Sequence, residues 1–245
     1  MTNRQEINKM ALDMDSIIAN LYVGGMQVTR DPAVLHELGV THIVTVCDEP
    51  VSRIVDSGYF KYKFVSGIDF GTTDLLSWFP EVTAFIDGGV KSGAVLVHCI
   101  AGVSRSVTMV IAFLMEKKGM SFEKALNLVQ KKRKFAYPNE GFVKQLKLYE
   151  EMQCRLDPTN EEYKLYRLTS LALTMQGNQG KDAKSVFLPG DLKENPIANK
   201  EDIIFKCKKC RHLLFKRSGF MNHTVGPGME AFAAYSSKDE EDLIF

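Results

Sequence analysis

The chain has 245 residues, a net charge of +1, 45% hydrophobic residues and 25% charged residues, globular values with room for one sizeable core and an appendage. So small a net charge gives no electrostatic reason for a nucleic acid or a membrane surface as main partner, and direct binding to either is not expected. No signal-peptide-like segment and no apolar run of roughly 18 residues is present, which predicts a soluble intracellular protein; five cysteines, at 47, 99, 154, 207 and 210, are too unevenly placed for a disulfide framework.

Residues 1–14 are polar without clear periodicity and read as a mobile leader, with order expected from near Ile17. Leu21-Tyr22-Val23 reads as a short strand closed by Gly24-Gly25. Asp31 and Pro32 read as the cap and first position of a helix that Gly39 stops. Residues 40–47, ending at Cys47, form the next buried strand; strand, helix, strand at this length is a βαβ unit and implies parallel pairing. Residues 62–65 are a third strand, followed by the loop Gly67-Ile68-Asp69-Phe70-Gly71. Loops at the carboxyl ends of strands in an open α/β sheet line the ligand crevice, so Asp69 is expected on that rim. Thr72-Thr73-Asp74 reads as a helix N-terminus, and residues 75–88 as an amphipathic helix with Pro80 at a first turn or kink.

The most informative stretch is Val95-Leu96-Val97-His98-Cys99-Ile100-Ala101-Gly102-Val103-Ser104-Arg105-Ser106. Its apolar start suits a strand buried on both faces, and residues 107–114 continue as a buried helix. Between them Ile100, Ala101, Gly102, Val103 and Ser104 form a loop in which small residues let backbone N–H groups converge. Such a loop, opening into a helix N-terminus, is an anion site. Its field favours the thiolate form of a cysteine at its base, which makes Cys99 the candidate nucleophile. Arg105 supplies a planar fork for two phosphate oxygens. The plain alternative is a buried structural cysteine beside a surface arginine, but His-Cys, five residues and Arg-Ser between strand and helix is too specific a pattern for that.

This segment resembles the signature of the cysteine-dependent protein phosphatases, in the variant typical of their dual-specificity branch. Leu-Tyr-Val-Gly-Gly at 21–25, the strand at 40–47, and Pro138-Asn139-Glu140-Gly141-Phe142 are similar to the same family, so the resemblance covers about 17 to 153. It implies a general acid about thirty residues before the cysteine. Asp69 lies thirty before Cys99 and is preferred over Asp74, although either could simply be a turn-forming residue. It also implies that Ser106 hydrogen-bonds the sulfur, and the chemistry needs no cofactor; His98, by its position, reads as a satisfied structural histidine that braces the loop, with direct proton transfer as the alternative. Cys47, where several family members carry a redox-active cysteine, is a candidate disulfide partner of Cys99, with a small buried hydrophobe as the alternative.

Helices are expected over residues 104–117, 121–132 and 139–153. Lys131-Lys132-Arg133-Lys134 reads as a solvated helix end, or as an address or docking patch for acidic partners. After Asp157-Pro158-Thr159-Asn160 one more helix is expected, over 161–175, then a linker to about residue 200. Phe205-Lys206-Cys207-Lys208-Lys209-Cys210-Arg211 reads as one zinc knuckle. With His223 added, Cys207 and Cys210 still fall short of four ligands, and His212 sits beside Arg211. The segment resembles the tail of a branch of the family linked to ribosome maturation, in truncated or divergent form. It implies a structural zinc and pre-ribosomal particles as partners.

The expected fold is therefore α/β, a parallel-rich central sheet flanked by helices, with a small zinc-ribbon-like segment at the C-terminus. The expected boundaries are a leader over 1–14, a catalytic domain over 15–155, helix and linker over 156–200, and the tail over 201–245. The expected activity is hydrolysis of phosphotyrosine and phosphoserine/phosphothreonine in phosphoproteins through a phosphocysteine, in cytoplasm and nucleus. The alternative is a phosphate-docking or ribosome-maturation module in which catalysis is dispensable.

Overall fold

The computed structural model describes residues 13–51, 58–177, 204–206, 208 and 213–216. The chain divides into two compact units after Leu156.

The first unit is built on a five-stranded sheet. Strand β1 (Met14–Ile18) turns back through Asn20, whose φ is 62°, into β2 (Leu21–Gly24), and the two pair antiparallel. Helix α1 (Pro32–Glu37) starts where Asp31 accepts the Val34 N–H and Pro32 presets the first turn. Then come β3 (Val40–Cys47), β4 (Lys61–Ser66), helix α2 (Phe79–Ser92) and β5 (Ala94–His98). The strand order is β1-β2-β5-β3-β4, and every pairing except β1 with β2 is parallel. β5 is the middle strand and all five of its residues are buried, which is why it reads as an unbroken apolar run.

Helix α3 (Arg105–Lys118) follows β5 and is the core helix, packing against α2, α4 (Phe122–Lys132), α5 (Glu140–Glu151) and the sheet. Its residues 105–115 are all buried, so it shows no polar face until its last turn. Ser121 and Asn139 cap α4 and α5 by accepting the Lys124 and Phe142 N–H groups. A short 3-10 turn, Leu76–Trp78, leads into α2, and Pro80 falls in the first turn of that helix. The turn is closed from outside: Gln145 on α5 accepts the N–H groups of Leu75 and Leu76 at 2.9 Å each and donates to the Thr73 carbonyl at 2.8 Å.

Two sequence expectations are corrected. Order begins earlier than Ile17, because β1 starts at Met14 as an edge strand with mixed exposure, a pattern too short and too polar to stand out. Arg133 is not part of a solvated basic run: it is 1% exposed, among the largest fully buried side chains, while its neighbours Lys131, Lys132 and Lys134 are exposed.

In the second unit, Asp157 accepts from the backbone and hydroxyl of Thr159, Asn160 accepts the Tyr163 N–H, and α6 (Glu161–Gly177) follows. Strands β6 (Ile204–Lys206) and β7 (Leu213–Lys216) pair antiparallel. Cys207, Cys210 and His223 lie outside the described residues. Among the described residues no helix is long and apolar enough to cross a membrane.

Candidate active site

The loop after β5 is held open from behind, one carbonyl at a time. The Ile100 carbonyl accepts the Met26 N–H at 2.9 Å and the Val103 carbonyl accepts the Tyr137 N–H at 2.8 Å. Between them the Arg133 guanidinium donates through Nη2 to the Ala101 carbonyl at 3.1 Å and through Nε to the Gly102 carbonyl at 2.6 Å. In a trans peptide the N–H points away from the C=O of the same unit. Four carbonyls pinned outward therefore leave the amides of Ala101, Gly102, Val103 and Ser104 directed to the opposite side. The Gly102 amide shows the result, donating to Cys99 Sγ at 3.2 Å. Gly102 has φ of 66°, and a Cβ there would lie 2.5 Å from both the Arg133 guanidinium and the Gly24 backbone, so the position takes only glycine.

Cys99 is buried, and its sulfur receives a second hydrogen bond, from Ser106 Oγ at 3.3 Å. Arg105 opens α3 with its side chain 6% exposed. Its Nη1 donates to the Gly67 carbonyl at 2.9 Å, which ties it to the loop carrying Asp69. Its Nε is buried without a hydrogen-bond partner and lies 3.8 Å from Asp69 Oδ2. A buried guanidinium N–H with nothing to donate to is costly unless an anion completes it.

Asp69 Oδ1 accepts from Ser104 Oγ and from Asn139 Nδ2, both at 2.8 Å. Ser104 Oγ in turn accepts the Asn139 N–H at 3.2 Å. The loop of Asp69 and the start of α5 meet at two glycines, where a Cβ on Gly141 would come within 2.0 Å of the Gly71 carbonyl oxygen. Asp74 is placed elsewhere: it accepts from the N–H and hydroxyl of Ser77 and caps the turn before α2.

His98 is paired across the sheet with Thr45. Its Nδ1 donates to the Cys99 carbonyl at 3.3 Å, so the unprotonated Nε2 accepts from Thr45 Oγ1 at 2.5 Å. Burial holds its pKa down to about 4, against the opposing pull of the Cys99 carbonyl, and the ring is neutral at pH 7. Cys47 closes β3, fully buried. Burial pushes its thiol up to about 11, with Arg105 opposing the rise and Cys99 and Asp48 adding to it.

The structure thus brings together Asp69, His98, Cys99, Arg105 and Ser106 around one loop, with Cys47 close enough to feel the charges of Arg105 and Cys99. Sequence reading missed Thr45, Asn139 and Arg133. Asn139 stood only at the start of the helix expected over 139–153, and nothing local announced that its amide reaches a loop 70 residues away.

A cysteine sulfur receiving a loop amide and a hydroxyl, an arginine opening the next helix and a carboxylate 3.8 Å from that arginine fit the class of the cysteine-dependent phosphatases. Residues 21–152 match the family described as dual specificity phosphatase, catalytic domain, and the protein belongs to that family. It is 40% identical over 221 residues to dual specificity protein phosphatase 12 of Mus musculus, an alignment covering 87% of this chain and 63% of that protein. The chain thus spans less than two thirds of that relative's length. Among solved structures it is similar to human tyrosine phosphatase-like serine/threonine/tyrosine-interacting protein, with 33% identity, a TM-score of 0.54, and coverage of 58% of this chain and 98% of that one. The Yvh1 phosphatase domain from Chaetomium thermophilum matches at 32% identity and TM-score 0.54, over 59% of this chain and 99% of that one.

Proposed function

We propose that this protein is a phosphoprotein phosphatase that hydrolyses phosphotyrosine and phosphoserine/phosphothreonine through a phosphocysteine on Cys99. The observation that carries the reading is the Cys99 sulfur receiving the Gly102 N–H and the Ser106 hydroxyl while the buried Arg105 Nε, beside Asp69, has no hydrogen-bond partner.

In the first step the Cys99 thiolate attacks phosphorus in line with the ester oxygen; the S–P bond forms as the P–O bond breaks. Arg105 and the loop amides hold the equatorial oxygens, and Asp69, entering as the carboxylic acid, gives its proton to the leaving oxygen. In the second step water attacks the phosphocysteine, the Asp69 carboxylate takes its proton, and the S–P bond breaks with its electron pair returning to sulfur. Ser106 donates to that sulfur as it leaves. Each step is carried by protein groups.

The mouth of the loop supports a peptide as the carrier of the phosphate. Ile68 and Phe70 on the Asp69 loop and Ile100 next to Cys99 are exposed large hydrophobic residues. Arg133, which could have bound a second phosphate, is committed to internal partners. The tail carries a further proposal, a zinc held by Cys207, Cys210 and His223 and contact with pre-ribosomal particles, with the protein working in cytoplasm and nucleus. It rests on resemblance and on the β6–β7 hairpin that brackets the two cysteines; the donor set fits a zinc knuckle and falls short of a closed tetrahedral site.

Hydrolysis of an aryl phosphate tests the chemistry. Wild type is expected to turn over, Cys99→Ser to lose all turnover, and Asp69→Asn to lose about 100-fold in kcat. Turnover that survives Cys99→Ser overturns the mechanism and leaves a phosphate-docking module.

A further inference from the structure

Arg133 closes α4, far in sequence from the loop it touches, and is more deeply buried than Arg105. A buried guanidinium requires charge partners, and Arg133 has two, Asp13 Oδ1 at 2.6 Å from Nη2 and Asp15 Oδ2 at 2.8 Å from Nη1. The Phe135 ring stacks over the guanidinium at 4.2 Å from its centroid. Of the other donors, Nε bonds the Gly102 carbonyl and a second bond from Nη2 goes to the Ala101 carbonyl. The Asp13 carbonyl also accepts the Gly25 N–H at 2.9 Å, next to the Gly24 backbone against which Gly102 packs. One cation therefore joins the N-terminal strand, the end of β2 and the back of the phosphate loop.

We propose that Arg133 is a positioning residue for the phosphoryl-transfer site: clamped by Asp13 and Asp15, it holds the Ala101 and Gly102 carbonyls outward and so fixes the Gly102 and Val103 amides toward the transferring phosphoryl group. The inference deepens the phosphatase reading and rests on it for the identity of the anion. Two features point to positioning rather than to stability alone. The planar fork binds two consecutive carbonyls, which sets the orientation of two consecutive peptide planes. The amide so oriented is the one that already donates to Cys99 Sγ. A lysine would keep the charge and offer no fork, so the two peptide units would be free to rotate and the amides to lose their aim. Asp13 and Asp15 act through Arg133, which makes the N-terminal strand part of the support of the site.

The test compares wild type, Arg133→Lys and the double variant Asp13→Asn with Asp15→Asn, in the full chain. It measures kcat and KM on an aryl phosphate, calorimetric binding of tungstate, and thermal unfolding. For Arg133→Lys, kcat is expected to fall at least about tenfold and tungstate affinity to fall in parallel, with KM moving less, because aimed amides act most on the charge developed in the transition state. The double variant is expected to show the same pattern at about a third of the size or more. Assays run well below each unfolding midpoint separate this from simple destabilisation. If both variants unfold earlier yet keep wild-type kcat and tungstate affinity while folded, Arg133 is structural only and the proposal is overturned. If Arg133→Lys does not fold, the double variant decides in the same two directions. Failure of the phosphatase reading would show instead as wild-type chain without turnover, and tungstate binding would still report on the loop.

Discussion

At the scale of single residues, His98 shows how a titratable group can serve the site by staying neutral. Its ring spends both nitrogens on Thr45 and on the Cys99 carbonyl, and its pKa in the fold, about 4, lies below the ordinary value of 6.5. Between these values the unfolded chain binds a proton that the folded one does not, so stability falls as pH falls through that window and is unaffected above it. Going from pH 7 to pH 5 is expected to remove about 2 kcal/mol through this residue. Urea unfolding of wild type and His98→Asn at the two pH values measures it, and the variant should lose most of the difference. Cys99 and Arg105 were legible in the sequence because strand, loop and helix start are contiguous, so spacing brings them to one place, while the bond from Ser106 to the sulfur was expected from resemblance alone. Asn139 and Arg133 were not legible, since a capping asparagine and one arginine in a basic run look the same whether or not they reach a loop across the fold.

At the scale of elements, the apolar strands and capped helices were visible because their burial is continuous: β3 spans the same residues by pattern and by structure. The start of edge strand β1 was missed because five residues with a single buried side chain, Ile17, give no clear alternation. The support of the Asp69 loop was also hidden, since it comes from a glutamine in the middle of α5. Gln145 satisfies the N–H groups of Leu75 and Leu76, both in fully buried residues. Gln145→Leu keeps the volume and leaves two buried donors unmet, which is expected to cost roughly 2 to 4 kcal/mol in urea unfolding. The same change removes the bond to Thr73, four residues from Asp69, so kcat on an aryl phosphate should fall with KM nearly unchanged.

At the scale of the whole molecule, chemistry and tail separate. Every residue placed around Cys99 lies before Leu156, where the first unit ends. If the tail holds zinc, a strong chelator is expected to strip it, measured by metal analysis, while aryl phosphate turnover stays within about twofold. A loss of turnover on chelation would place the metal in the service of the phosphatase site and revise the division.

The position of β5 has a consequence for how this molecule fails. Cys99 follows directly on the middle strand, which has a parallel neighbour on each side and no exposed residue. Middle strands open only when the whole domain opens. The nucleophile is thus mounted on the part of the domain that comes loose last, and heating is expected to silence the protein in the same step in which it melts.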